Sequence, residues 1–476
     1  IMPSLVGSEM CIRDSFYTSP PAGVLLIKNG HAIIEPFSSK AINKQGVYEK
    51  MNVTGIIAEY NPFHNGHLYQ LEKARNDTNA DYLIVVMSGD FVQRGAPALI
   101  DKYTRAKMAL ENGADLVLEL PVLWSTASAE YFAGAGIALL DRIGVTSAVC
   151  FGCETPDQAA LLSLARFLAE ETSAYRSALN DALKKGMSYP AARAFAVQTS
   201  LSAPLSGDPS VLASVTPELA ETILASPNNI LGLEYCKALF RRNSQIRPVP
   251  IARIGSGYHA NNLDTSFASA TGIRSYLNGL ADLYSDLSAL DAWMPKSAFL
   301  TLCEALNAHP LMFEEDFAAM LGYCLVTHDS FTDYADGSLE LSNRILRQRE
   351  HFSSVVDFLD DLKTKEVTYT RLSRLLTHIL LDIKEKDYGF YRNLDYVPYG
   401  KILGFREDAA PLLKELKQHS TIPLLTSPLD KKQQLDEAAQ ALLKKDVLAS
   451  ELYRMAAVQK SGFAIPNEYK RKFLRV

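Results

Sequence analysis

Residues 53–70 read VTGIIAEYNPFHNGHLYQ, and the fold turns on how this stretch divides. Val53–Ala58 is an unbroken apolar run with β-branched residues, the pattern of a strand covered on both faces. From His67 the period changes: HLYQLEKARN sets apolar or aromatic side chains three and four residues apart, which predicts a helix. Between strand and helix stands Asn61-Pro62-Phe63-His64-Asn65-Gly66-His67. A helix starting near Pro62 or His64 puts both imidazoles in its first turn, three residues apart on one face. Free backbone N–H groups and the helix dipole there favour phosphate. Imidazoles at such a place can donate to an α-phosphate as charge builds during attack. Gly66 carries no side chain, so a phosphate or nucleobase can approach the backbone. A zinc HxxH is a competing reading, but it needs a third ligand, and only the Cys150–Cys153 pair offers one. The other alternative is two helix-start histidines without a chemical role.

The pattern repeats outward. YLIVVMS (82–88), DLVLELP (115–121), SAVCFG (147–152) and RPVPIARI (247–254) read as strands. DKYTRAKMALENG (101–113), a stretch running to 140, PNNILGLEYCKAL (227–239) and SATGIRSYL (269–277) read as helices. Apolar strands alternating with helices make a parallel sheet covered on both faces, so the predicted class is α/β, Rossmann-like. Ligands of such sheets sit at the carboxyl ends of the strands, where the polar loops EYNPFHNGH, SGDFVQRG and GCETPD fall. Residues 155–215 read as a helical insertion. From about Tyr284 the chain is mostly helix-like, which predicts a catalytic domain over 51–285 and a helical C-terminal domain over 286–476. Residues 1–50 show no sustained helical or strand period, and PSLVGSEMCIRDS (3–15) resembles translated sequencing-adaptor sequence. The expected native start is therefore Met51, with nothing functional before it.

The chain has 476 residues, 48 Lys+Arg against 54 Asp+Glu, 47% hydrophobic and 21% charged residues. This is a globular composition and excludes disordered, collagen-like and coiled-coil classes. The length exceeds one core and implies two or three domains. No apolar run approaches the roughly 20 residues that span a bilayer, so a cytoplasmic protein is expected, and six scattered cysteines suit a reducing compartment. Charge is uneven: residues 341–476 hold 24 basic and 18 acidic residues, the remainder 24 and 36. A basic C-terminal part on an acidic chain suggests a polyanionic partner.

Ser269-Ala270-Thr271-Gly272-Ile273-Arg274 reads as a helix N-terminus with hydroxyls at the cap and a basic residue one turn on, suited to β- and γ-phosphates. Alone it is an ordinary capped helix. His64-Asn65-Gly66-His67 after the first strand and SATGIR near the last together resemble the HxGH nucleotidyltransferase superfamily. A longer series goes further. GIIAEYNPFHNGHLYQ, MSGDFVQRGAPA, ELP (119–121), FGCE, SYPAARA (188–194), SPNNILGLEY, ARI (252–254) and SATGIR, in this order, resemble the bacterial tRNA(Met) cytidine acetate ligase family. YTRLSRLLTHIL (369–380) and PYGKILGF (398–405) extend the likeness toward the C-terminus. One departure is Cys153, where the family usually has Ser; it puts in doubt only a hydroxyl at that position.

The resemblance implies an enzyme that activates acetate with ATP, with Mg²⁺ expected, and acetylates N4 of the wobble cytidine in the anticodon loop of elongator tRNA(Met). It implies His64 and His67 as catalytic residues. It implies ATP contacts from Ile57, Ala58, Glu59, Tyr60, Asn61, Pro62, Phe63, His64, Asn65, Gly66, His67, Leu68, Tyr69 and Gln70. Gly152, Asn228, Arg253 and Ile254 complete the set, with Ser269, Thr271 and Arg274 as phosphate-binding candidates. Asn228 and Asn229 also fit simple helix capping. Asp90, Gln93 and Arg94 are candidates to face acetate or the base. Glu59 and Glu119 end strands, and no metal ligand is assigned to either. Arg371, Arg374 and Lys401, in the basic part, are tRNA-contact candidates, against the alternative of a solvated helix face. Two other functions share parts of this pattern: an adenylyltransferase acting on a small metabolite, and a tRNA-binding protein without catalysis.

Overall fold

Asn29-Gly30, a residue pair that favours a tight hairpin, separates two six-residue runs. Those runs, Gly23–Lys28 (β1) and His31–Pro36 (β2), pair antiparallel with Lys28 opposite His31. This differs from the sequence reading, in which residues 1–50 have no strand period; β1 lacks the polar–apolar alternation by which such a strand is recognised. The computed structural model describes the backbone of 23–28 and 31–36, and residues 51–202, 214–254, 268–280, 287–364, 366–430 and 435–476. The contacts divide it into Ile1–Met51 and Asn52–Val476.

In the second unit the predicted strands form Val53–Ala58 (β3), Tyr82–Ser88 (β4), Leu116–Leu120 (β7), Ala148–Cys153 (β8) and Arg247–Ala252 (β9). Phe91–Val92 (β5) and Ala96–Pro97 (β6) make a separate small antiparallel pair. The order across the large sheet is β7-β4-β3-β8-β9, all parallel. Crossovers are Asn65–Thr78 (α1), Lys102–Glu111 (α2), Val122–Ser125 (α3) and Ala129–Arg142 (α4). Between β8 and β9 run Gln158–Glu170 (α5), Ser173–Lys184 (α6), Tyr189–Ser202 (α7), Pro217–Ala225 (α8) and Pro227–Arg241 (α9). The first three are the expected insertion, whose stretch 203–213 lies outside the described residues. Ala270–Asn278 (α10) follows β9.

Leu83 to Met87 are all inaccessible to solvent, and burying each such side chain contributes about 1.5–3 kcal/mol. Helix α4 lies close on the sheet: a Cβ on Gly55 would meet Leu140 at 2.6 Å, and one on Gly136 would meet Ile57 at 2.6 Å. The strand order reverses between β3 and β8, which opens a crevice at their carboxyl ends.

The C-terminal part is mostly helical, as expected, and it also returns strands to the main sheet. Helices Ser288–Trp293 (α11), Lys296–Ala305 (α12), Ala318–Thr327 (α13), Leu339–Gln348 (α14), Val355–Leu362 (α15), Tyr369–Leu380 (α16) and Glu385–Asn393 (α17) come first. Then Gly400–Phe405 (β10) joins the main sheet antiparallel to β7. Beyond Ala410–His419 (α18), Leu424–Leu425 (β11) extends that edge, and after Glu437–Ser461 (α19), Leu474–Arg475 (β12) also pairs with β10. Residues 286–476 are thus mostly helical, and their KILGF run adds a strand to the sheet. The boundary predicted near 285 lies outside the described residues. Among the described residues no helix is long and apolar enough to cross a membrane.

Docking β10 on β7 buries charge. Lys401 Nζ lies 2.7 Å from Glu119 and also pairs with Glu468, while Lys102 Nζ lies 2.8 Å from Glu119 and 3.0 Å from Glu468. Two ammonium groups between two carboxylates offset the desolvation that burial imposes on each. Lys401 is 1% exposed, and this corrects its reading as a tRNA contact. Burial alone would raise the Glu468 carboxyl, but Lys102 and Lys401 hold it down at about 2. Glu119 is thus an ion-pair partner. A Cβ on Gly89 would meet its Oε1 at 2.6 Å, so the preceding loop fits closely around it.

Candidate active site

The chain leaves β3 through Tyr60, whose φ of 49° is left-handed, a conformation that costs about 1–2 kcal/mol in a non-glycine residue. Packing sustains it. The Tyr60 ring is buried and meets Phe63 at 4.9 Å and His67 at 4.8 Å, both edge-on. Asn61 accepts the Leu99 N–H at 2.7 Å through its side chain, and Pro62 and Phe63 are buried. Helix α1 then begins with His64 as its N-cap. Asn65 turns outward to Ala292 O at 3.0 Å, and Leu68 packs on the core.

The two histidines cap this helix reciprocally. His64 Nδ1 accepts the Gly66 N–H at 3.0 Å, and His67 Nδ1 accepts the His64 N–H at 3.3 Å. A ring nitrogen that accepts has no proton, so each neutral ring carries its hydrogen on Nε2. The rings stack with centroids 3.7 Å apart. Burial, together with the Arg253 and Arg274 guanidinium groups, pushes His64 down to about 3. Burial, His64 and Arg253 push His67 well below the usual imidazole range. Both rings are therefore neutral donors at neutral pH. Gly66 is needed for a different reason than predicted: a Cβ there would meet His64 Cε1 at 2.8 Å. The room it leaves is taken by the imidazole.

The crevice beside these rings is a cleft of about 500 Å³. Ile57, Ala58, Glu59, Tyr60, Asn61, His67 and Gln70 line it from the β3–α1 side, and Gly152, Asn228 and Arg253 from the β8–β9 side. A continuation is lined by His64, Gly66, Tyr69, Ile254 and Ser269. The structure thus brings together nearly all the predicted ATP positions. Gly152 makes room for Arg253, whose Cγ would stand 3.3 Å from a Cβ at that position. Phe132, Phe151, Ile230, Leu231 and Tyr235 give the cleft an apolar wall of the kind that suits a nucleobase.

Other candidates settle differently. Ser269 caps α10, accepting the Gly272 N–H at 3.1 Å, as predicted for a helix start. Arg274 reaches back to donate to Asn61 O at 2.6 Å and to Thr271 Oγ1 at 3.3 Å, so it braces the loop before the histidines. Asn228 and Asn229 do not cap α9. Asn228 donates to Glu154 at 2.6 Å, and Asn229 accepts from the N–H groups of Glu154 and Thr155 at 2.9 and 3.0 Å. Glu59 accepts the Gln93 N–H at 2.9 Å. Arg374 is held by Asp336 through bonds of 2.7 and 2.9 Å and is largely covered, which corrects its reading as a free tRNA contact. Arg371 has 40% of its side chain exposed. Cys150 lies within strand β8 and Cys153 ends it, and burial pushes both thiols up to about 12.

The profile of the HIGH Nucleotidyl Transferase family matches residues 51–464. The tRNA(Met) cytidine acetate ligase of Acetivibrio thermocellus is 37% identical over 420 residues, covering 87% of this chain and 98% of that protein. The chain belongs to the tRNA(Met) cytidine acetate ligase family. That of Clostridium novyi is 36% identical over 406 residues, covering 85% of this chain and 95% of that protein. Among solved structures, Thermotoga maritima TmcAL bound with alpha-thio ATP superposes with a TM-score of 0.80 at 30% identity. It covers 90% of this chain and 100% of that one, and the apo form gives a TM-score of 0.81. The family match begins at Met51.

Two residues that carry this ligase fold's site escape a sequence reading. Arg105, on α2, is completely buried and donates to Glu59 O at 2.7 Å and Ser88 O at 3.1 Å, and also to Gly89 O. It ties the carboxyl ends of β3 and β4 together. Glu154 accepts the Asn229 N–H at 3.0 Å, serving the start of α9 that Ser226 leaves uncapped. In the sequence Arg105 is one charged residue in a helix, and Glu154 closes the family-like FGCE segment with nothing there to show which groups it holds.

Proposed function

We propose that the cleft binds ATP and acetate, forms acetyl-adenylate with release of pyrophosphate, and passes the acetyl group to N4 of the wobble cytidine of elongator tRNA(Met). The observation that carries this reading is the pair of neutral imidazoles whose Nε2–H groups remain for a ligand at a helix N-terminus beside Arg253. An acetate oxygen attacks the α-phosphorus, the bond to the bridging oxygen breaks, and pyrophosphate leaves. His64 and His67 donate to α-phosphate oxygens as charge grows there, an effect worth about 10²–10³ in rate per well-placed donor. Arg253 neutralises the triphosphate. Ser269 and Thr271 fit a role at the β- and γ-phosphates, with Arg274 holding the loop. Mg²⁺ would arrive chelated by the phosphates, as it commonly does. Among the described residues the one carboxylate lining the cleft is Glu59, which fits a cation held mainly by phosphate and water.

In the second step the cytidine amine attacks the acetyl carbonyl, AMP leaves, and the amine's proton passes to water. An acyl-adenylate already has a good leaving group, so this step needs positioning more than a further nucleophile. Unpaired anticodon bases are accessible to such a cleft, and the basic C-terminal residues suit the RNA backbone. A tRNA substrate places the enzyme in the cytoplasm. The test is incubation with ATP, Mg²⁺ and labelled acetate, with and without tRNA(Met). Label on the RNA supports the reading. Pyrophosphate release only with a phosphorylated metabolite would replace it by a small-molecule adenylyltransferase, and RNA binding without turnover by a binding protein.

A further inference from the structure

Two predicted RNA contacts, Arg374 and Lys401, are buried in ion pairs. The surface that receives the RNA must then be sought at the cleft mouth itself. The cleft lining includes Thr370 of α16 and Pro190 at the start of α7. Next to Pro190, Tyr189 is 50% exposed and Met187 36% exposed, an aromatic and a flexible apolar side chain left open to solvent. Just before them, Lys184 at the end of α6 and Lys185 at its C-cap are exposed and have no ion-pair partner among the described residues. From Ala182 to Ser202 the sequence has no Asp or Glu, although residues 1–340 as a whole are acidic. Arg193, the other basic residue of this run, is held 2.7 Å from Glu234, which anchors α7 on α9.

A carboxylate-free segment with adjacent ammonium groups and a half-exposed aromatic ring is the combination that grips single-stranded nucleic acid. The ring stacks on a base of any identity, and the lysines take the phosphates. We infer that the α6–α7 junction, through Lys184, Lys185 and Tyr189, is an RNA-docking surface that stacks an unpaired base at the mouth of the cleft. This rests on the reading of the protein as a tRNA-modifying ligase and adds to it the place where the anticodon loop is held.

The test uses the full chain and a labelled RNA hairpin with the anticodon stem and loop of tRNA(Met). Tyr189→Ala is expected to weaken binding about tenfold, and Tyr189→Phe to restore it, because stacking needs the ring and not the hydroxyl. The double variant Lys184→Glu, Lys185→Glu is expected to lower the slope of log affinity against log salt by about one to two units. Acetate-dependent exchange of pyrophosphate into ATP, measured without RNA, should stay at the wild-type rate in all three, which also shows that they fold. The proposal is overturned if affinity and salt slope are unchanged while the wild-type protein binds and acetylates the hairpin. It is equally overturned if the lysine substitutions spare RNA binding and instead abolish binding to acidic phospholipid vesicles. A wild-type protein that supports exchange but binds no RNA would overturn both the proposal and the tRNA reading beneath it.

Discussion

The cleft beside β3 and the ion cluster beside β7 stand at the carboxyl ends of one sheet and treat titratable groups in opposite ways. In the cleft, burial and two arginines keep His64 neutral, with its hydrogen on Nε2. In the cluster, Lys102 and Lys401 face Glu119 and Glu468, all nearly inaccessible, and every charge is answered from within the protein. The difference shows how one scaffold separates chemistry from cohesion. Groups with capacity to spare make a ligand site, whereas groups that consume each other fasten the returning C-terminal chain to the sheet.

The comparison breaks most visibly at Lys401. Lys401→Met leaves the two carboxylates short of a counter-charge, and the expected loss of stability is about 3–5 kcal/mol, read from the midpoint of urea unfolding. An unchanged midpoint with weakened RNA binding would return Lys401 to the surface. At the cleft, His67→Ala is expected to slow acetate-dependent pyrophosphate exchange about 10²–10³-fold. Its cost in stability should not exceed about 2 kcal/mol, the range of a lost helix cap.

These two residues also show what a sequence reveals. The histidine pair was legible because a strand, a glycine and a helix fix its surroundings within a few positions. The same holds for the parallel sheet, whose strands are unbroken apolar runs; β4 spans Tyr82–Ser88 as read. Lys401 was not legible, because a lysine in KILGF reads alike whether it meets water or two buried carboxylates more than sixty residues away. The roles of Arg105 and Glu154 escaped for the same reason, since their partners, backbone groups and for Glu154 also the Asn228 side chain, are brought near only by folding. Strand β10 was missed because six residues, GKILGF, inside a helical region give no period of their own.

Acid sharpens the contrast. His64 titrates near 6.5 when unfolded and about 3 when folded, so its contribution is present above 6.5 and lost as pH falls toward 3. Glu468, held at about 2 against an ordinary 4.5, loses its contribution only below about 4.5. Calorimetry is therefore expected to show stability declining first between pH 6.5 and 4.5, with a shallower decline in His64→Asn. Smaller effects follow. Gly152→Ala presses a methyl toward Arg253 and should raise the KM for ATP about fivefold, about 1 kcal/mol, with kcat little changed. Arg371→Ala, at a half-exposed position, should leave stability within about 0.5 kcal/mol and reduce the salt slope of RNA binding by about one unit.

The most direct measurement is the ¹⁵N resonance of the His64 and His67 rings, recorded from pH 8 to 5 with and without a non-hydrolysable acetyl-adenylate analogue. The expected result is that neither ring takes up a proton, that both carry hydrogen on Nε2, and that both Nε2–H signals shift when the analogue binds. A ring that titrates near 6.5, a proton on Nδ1, or Nε2 signals indifferent to the analogue would contradict the account.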